Sequence, residues 1–309
     1  MAARVLAFVM SGGGARGALE AGALRALLEA GIRPDMLVGT SIGAVNAACL
    51  ALNGLDGTGL AGLETAWRDA AAADLLPANY LWQTLRALVG RQGNGAQTRL
   101  RDFFVAHGLQ PDLCFGDIPG VRLVLVAADL NTGRAALYGA YPEQIVLEGA
   151  LASAAVPPLI PPLHFGDRVL MDGGVVSNLP IEPALDQGAT DIIALDVFDP
   201  RAQAANAPGL APFFVKFLST VQQRETDMEL ALAAARGVPV RRIALRPVVP
   251  VPIWDFSRTE ELMRTGYEIA SAAIAEWPAA AETTQRRWWT RSDWLVRPVS
   301  RLNRWRKAA

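Results

Sequence analysis

Met36-Leu37-Val38-Gly39-Thr40-Ser41-Ile42-Gly43-Ala44-Val45 is the stretch on which the fold turns. Met36 to Val38 is a short apolar run that reads as a β-strand. Gly39-Thr40-Ser41-Ile42-Gly43 is a sharp turn, and Ala44 to Leu52 continues as a buried helix. The same order occurs once upstream. Val5 to Met10 is apolar, Ser11-Gly12-Gly13-Gly14 breaks the run, and Leu19, Leu24, Leu27 and Leu28 then recur at helical spacing until Gly31. Two strand–turn–helix units in succession imply a parallel sheet, with functional turns at the C-terminal ends of its strands.

Downstream, residues 53–118 are mostly helical in pattern, with Trp67, Tyr80, Trp82, Leu85 and Leu88 as apolar anchors and a loop at 91–95. Val121 to Ala128 is almost continuously apolar, as in a strand buried on both faces. Ala135 to Tyr138 is expected to pair back on it across the Asn131-Thr132-Gly133 turn. A helix over 145–155, a strand over 168–171 ending at Asp172-Gly173-Gly174, and a buried strand over 192–197 follow. Helices are expected around 211–235 and 258–277, separated by a proline-punctuated strand region at 238–253.

A serine between two glycines, behind a strand and ahead of a helix, is the arrangement of a nucleophile elbow. Small neighbours allow the sharp turn, and the helix N-terminus favours developing negative charge near Ser41. The bland alternative is a glycine-rich turn with an N-capping serine. Gly12, Gly13 and Gly14 can aim backbone N–H groups at one point, which suits an oxyanion hole. Arg16 follows in the same loop, as a solvated first-turn residue or one that orders the loop. Gly12, Gly14 and Gly17 also satisfy the dinucleotide-binding spacing. That reading needs an acid closing the second strand; Asp35 precedes this strand, and the serine turn ends it.

A nucleophilic serine needs a base. The chain has two histidines, His107 and His164, and none beyond, whereas a conventional hydrolase triad places its histidine near the C-terminus. Asp172, at the end of its strand and beside Gly173 and Gly174, is the better candidate, although Asp-Gly-Gly by itself also reads as a plain hairpin turn. Burial can raise a carboxylate into the range of a general base.

The 309 residues are 51% hydrophobic and 19% charged, enough for a full core, and the net charge of −1 gives no global field for nucleic acid. Two cysteines make no disulfide framework, and with two histidines no zinc-type cluster is expected. No apolar run reaches the length of about 18 residues needed for a membrane span. Charge is uneven: from Arg286 to Ala309 there are eight basic residues and one acid. Arginine interleaved with tryptophan there suits an anionic membrane surface. The expectation is a cytoplasmic protein with peripheral membrane contact through that tail and no nucleic-acid partner.

In this order, Gly12-Gly13-Gly14-Ala15-Arg16-Gly17, Gly39-Thr40-Ser41-Ile42-Gly43 and Asp172-Gly173-Gly174 resemble the three signatures of the patatin-like phospholipases. The likeness extends through 121–133, through 152–157 and through Asp172 to Pro180, including Asn178, and covers roughly residues 5–200. It implies a three-layer α/β/α fold with a mainly parallel central sheet and a catalytic domain over 5–200. Residues 201–277 would be an extension packed on that domain, and 278–309 a basic tail. It further implies Ser41 as nucleophile and Asp172 as base, an oxyanion hole from Gly12, Gly13 and Gly14 with Arg16 alongside, and no cofactor. Gly17, Gly39, Gly43, Gly173 and Gly174 would support these motifs. The implied reaction is hydrolysis of fatty-acyl esters of lipids through an acyl-enzyme. A non-lipid carboxylesterase on the same pair, a nucleotide-binding module and an inert patatin-like interaction protein are the alternatives.

Overall fold

A computed structural model describes residues 4–73, 95–157, 160–202 and 210–277. Tyr80, Trp82, Leu85, Leu88 and the basic stretch 278–309 lie outside the described residues. The central sheet contains β1 (Leu6–Met10), β2 (Met36–Thr40), β3 (Arg122–Asp129), β4 (Arg134–Tyr138), β5 (Leu163–Phe165), β6 (Arg168–Asp172), β7 (Asp191–Asp196) and β8 (Val240–Ala244). Their order is β5-β6-β3-β2-β1-β7-β8, with β4 pairing β3 off this path. The strands from β3 through β2, β1 and β7 to β8 are parallel. β4 and β6 pair with β3 antiparallel, as does β5 with β6, so the sheet is mixed.

The helices are α1 (Gly17–Glu29), α2 (Ile42–Asn53), α3 (Gly57–Ala72), α4 (Gly95–Ala106), α5 (Val146–Ser153), α6 (Ile181–Asp186), α7 (Leu210–Ala235) and α8 (Thr259–Ala275). They divide between the two faces of the sheet according to strand alternation. Phe8, Met10, Leu37, Leu123, Leu125 and Leu195 point into one apolar layer, with α1, α2, α3, α5 and α8. Ala7, Val9, Met36, Val38, Val124, Val126 and Ile192 point into the other, with α6 and α7. This is the three-layer α/β/α architecture, in which strands buried on both faces carry no polar alternation. Each large side chain so buried contributes roughly 1.5–3 kcal/mol.

The chain beyond residue 200 joins the same body. β8 extends the sheet in register with β7, Ile192 pairing Val240, and α8 packs along α1. Because β1, β2, β7 and β8 are parallel, the loops after all four open on one edge of the sheet. The site is built there.

Candidate active site

Ser41 follows the last residue of β2 and precedes α2. Its φ of 56° makes it the one non-glycine residue at positive φ among the described residues, with ψ at −123°. Such a backbone costs about 1–3 kcal/mol and persists only where its surroundings enforce it. Two features do so. A Cβ on Gly43 would stand 2.5 Å from the Met10 carbonyl oxygen, so this glycine lets the turn press against the end of β1. On the other side, the Ser41 N–H donates to Ser153 Oγ at 2.9 Å, and the Ser153 hydroxyl donates to the Val126 carbonyl at 2.6 Å. Gly39, at the other end of the turn, sits against the Gly43 carbonyl.

Asp172 closes β6, and its approach to Ser41 is set by sheet register. Thr40 pairs with Val126 of β3 and Asp172 with the next residue, Ala127, along the same edge of that strand, because β4 takes the other edge at both positions. The ends of β2 and β6 meet at Gly173, where a Cβ would lie 2.3 Å from the Val126 carbonyl oxygen and 3.1 Å from Thr40 Cγ2. Asp172 Oδ1 accepts the Gly174 N–H at 2.8 Å. Oδ2 is buried and makes no hydrogen bond that meets full geometry among the described residues. Burial pushes the carboxyl up to about 6, against the opposing pull of the Ser41 hydroxyl and the Gly174 N–H. A half-buried serine thus faces a carboxyl group whose proton affinity suits a base near neutral pH.

The glycine loop completes this edge. A Cβ on Gly12 would lie 3.2 Å from Ser41 Cβ, so the loop passes directly over the serine side chain. Gly12 departs from the expectation of three oxyanion donors. Its N–H donates to the Asn178 carbonyl at 3.0 Å. Gly13 and Gly14 retain N–H groups without a hydrogen-bond partner among the described residues. Gly14 has φ +57°, and the next N–H, of Ala15, is anchored to the Ile253 carbonyl at 2.7 Å. Arg16 is buried rather than solvated: it reaches the carbonyls of Gly13 and Asp199, both at 3.4 Å. Burial lowers its pKa to about 10, opposed by Asp199 and Asp196. Gly17 begins α1 against Ile42 and Trp67.

Sequence reasoning passes over a buried polar network behind these loops. Glu20 accepts from the Ser11 N–H and from Asn46 Nδ2, both at 2.9 Å. Asn46 also donates to the Gly17 carbonyl at 3.0 Å and accepts from Trp67 Nε1 at 2.9 Å. The network joins the start of the glycine loop to the helix behind Ser41. Burial holds the Glu20 carboxyl well above the usual carboxylate range. The available signal was an acid at a core position of α1, between Leu19 and Ala21. On the opposite layer, Gln222 of α7 donates to the Gly174 carbonyl at 2.9 Å, and Glu229 accepts from Ser177 Oγ at 2.6 Å.

Neither histidine hydrogen-bonds to Ser41. His107 contacts the Phe103 carbonyl and Asp69, and His164 lies exposed on β5. Among the described residues no group of three His, Cys, Asp or Glu side chains could hold a metal ion.

Comparison with known proteins places the chain among related sequences. An uncharacterized NTE family protein of Mycobacterium tuberculosis is 28% identical over 302 residues, covering 90% of this chain and 48% of that protein. A lysophospholipase NTE1 of Phaeosphaeria nodorum is 26% identical over 296 residues, covering 87% of this chain and 18% of that protein. The chain therefore spans about half, or much less, of the length of these relatives. Among solved structures, VipD from Legionella pneumophila aligns with a TM-score of 0.47 at 15% identity, over 88% of this chain and 67% of that one. The family model for patatin-like phospholipase matches residues 8–185, a span that holds the glycine loop, Ser41 and Asp172 together. The chain belongs to the patatin-like phospholipase family.

Proposed function

We propose that this protein is a serine acyl hydrolase that cleaves fatty-acyl esters of lipids, in the manner of a phospholipase A or lysophospholipase, through a Ser41–Asp172 dyad. The observation that carries the proposal is the strained Ser41 backbone set beside a buried Asp172 whose Oδ2 is open to a proton. Family membership and the lysophospholipase name borne by the Phaeosphaeria relative support lipid as the substrate class.

In the first step Ser41 Oγ attacks the ester carbonyl as Asp172 Oδ2 takes its proton. The N–H groups of Gly13 and Gly14 receive the oxyanion, and the positive end of α2 lies behind the nucleophile. Collapse expels the alcohol, which takes the proton from Asp172, and leaves an acyl-Ser41 ester. Water, deprotonated by Asp172, attacks that ester and releases the fatty acid, and the proton returns to Ser41. Every group used belongs to the chain.

Fluorophosphonate labelling of the wild type beside Ser41→Ala and Asp172→Asn tests the proposal. Labelling of the wild type that is lost in both variants supports the dyad; equal labelling of Ser41→Ala overturns it. A series of esters of increasing acyl length and lysophospholipids then separates a lipid hydrolase from a general carboxylesterase.

A further inference from the structure

Ten large apolar side chains are exposed among the described residues, and six of them belong to two short segments. Phe213 and Phe217 lie one turn apart near the start of α7, at 67% and 52% exposure. Val248, Val249, Ile253 and Trp254 lie in the loop after β8, with Val248 at 91%. Fold topology brings these segments to one edge. α7 connects two parallel neighbours, β7 and β8, so it runs back along the sheet and starts where those strands end. That edge is the one on which Ser41 and the glycine loop sit.

Two hydrogen bonds tie the segments to the catalytic loops. Ile253 supplies the carbonyl that holds Ala15 in the glycine loop, and Gln222, farther along the Phe213 helix, holds the Gly174 carbonyl beside Asp172. Exposed apolar side chains therefore flank the centre from the oxyanion side and from the base side. Charge in these segments has one sign. From Ala202 to Gln223 the one charged residue is Lys216, and from Ile243 to Trp254 it is Arg246. The nearest acid, Asp255, is turned back onto Ser257, accepting from its N–H and hydroxyl.

We infer that this edge, formed by the start of α7 and the loop after β8, docks on the surface of a lipid bilayer containing anionic lipid, with the mouth of the Ser41 site facing the membrane. Apolar and aromatic side chains enter the acyl boundary while the cations meet anionic headgroups. Apolar groups clustered around a catalytic mouth, with no carboxylate among them, match such a surface. A second protein copy seated there would close the entrance. The inference deepens the lipid-hydrolase reading and rests on it for its purpose, but its test is separate.

The experiment uses the full chain carrying Ser41→Ala, co-sedimented with vesicles of phosphatidylcholine alone or mixed with phosphatidylglycerol. Phe213→Gln with Phe217→Gln, and Val248→Ser with Val249→Ser, are compared with the parent. Each pair is expected to lower partition onto mixed vesicles about tenfold or more. In the active background, hydrolysis of a soluble short-chain nitrophenyl ester should stay at the wild-type rate, which shows that the variants are folded. Absence of binding by the parent, or binding unchanged in both pairs, overturns the inference. The second result would assign membrane contact to another part of the chain. A shift from dimer to monomer in the variants without loss of vesicle binding also overturns it and makes the edge a protein contact. Vesicle binding that depends on these residues in a chain that hydrolyses no ester would leave the docking surface standing and remove the hydrolase proposal instead.

Discussion

Ser153 holds Ser41 by the backbone: its Oγ accepts the Ser41 N–H at 2.9 Å and is itself anchored to the Val126 carbonyl at 2.6 Å. Ser153 is fully buried, so its hydroxyl is shielded from bulk solvent. Ser153→Ala leaves one N–H and one carbonyl without their partner at a strained turn, which costs about 1–3 kcal/mol. The expected outcome is a lower urea midpoint together with a fall in kcat on a soluble ester, with KM little changed. An unaltered kcat would mean that the elbow holds its shape without this bond.

Asp172 links activity to pH in one direction and stability in the other. Its carboxyl titrates at about 6 in the folded chain, so turnover should fall as pH drops through that value and the base becomes protonated. The folded state binds this proton more tightly than the unfolded state, so the group favours folding at low pH. That contribution is lost as pH rises from about 4 to 6. Asp172→Asn removes the buried charge. At pH 8 it should raise the melting temperature, with a gain on the order of 3 kcal/mol, that vanishes near pH 4. Thermal melts of both proteins across that range check it.

Glu20 and its partners predict an order of severity. Glu20→Ala leaves the Ser11 N–H and the Asn46 amide without an acceptor and opens a cavity, which should cost roughly 2–4 kcal/mol. Glu20→Gln keeps the volume but retains one acceptor oxygen for two donors, so it should cost less than alanine but remain destabilising. Urea unfolding of the two variants ranks them. Because the Ser11 N–H begins the glycine loop, fluorophosphonate labelling should slow in the same order.

Two glycines in the first half of the chain should answer oppositely to alanine. At Gly43 the new Cβ meets the Met10 carbonyl at 2.5 Å, a backbone atom that can give way only by moving β1. Gly43→Ala should lose soluble yield and labelling together. Gly57, at the start of α3, has nothing within 4 Å of the same position. Gly57→Ala should be active and more stable by about 0.4–1 kcal/mol. Parallel expression, melting and labelling of the two proteins give the comparison.

Local patterns made part of this architecture readable. The turns after β1 and β2 announce themselves by small residues between an apolar run and a helix, because strand, elbow and helix are contiguous. Asp172 was legible as a chemical group, but its distance from Ser41 was not: it depends on antiparallel pairing of β6 with β3 across more than forty residues of chain. The same non-locality hides the Asn178 carbonyl that takes the Gly12 N–H, and with it the removal of that donor from the proposed oxyanion hole. Glu20 looked like an ordinary helix residue because its partners, Ser11 and Asn46, come from the glycine loop and another helix. Short β5 escaped notice, since three residues around His164 carry no periodicity.

Thr40 and Asp172 meet adjacent residues of β3, Val126 and Ala127, on the same edge of the strand. The proposed nucleophile and base are thus measured off against a shared ruler, the central strand, rather than against each other. Lengthening the turn at 130–133 or the one at 166–167 leaves the graduations of that ruler alone and should be tolerated. Deleting one residue inside β3 shifts every mark beyond it and inverts which side chains face each layer. The chemistry of this edge is therefore as robust as one buried strand, and as brittle.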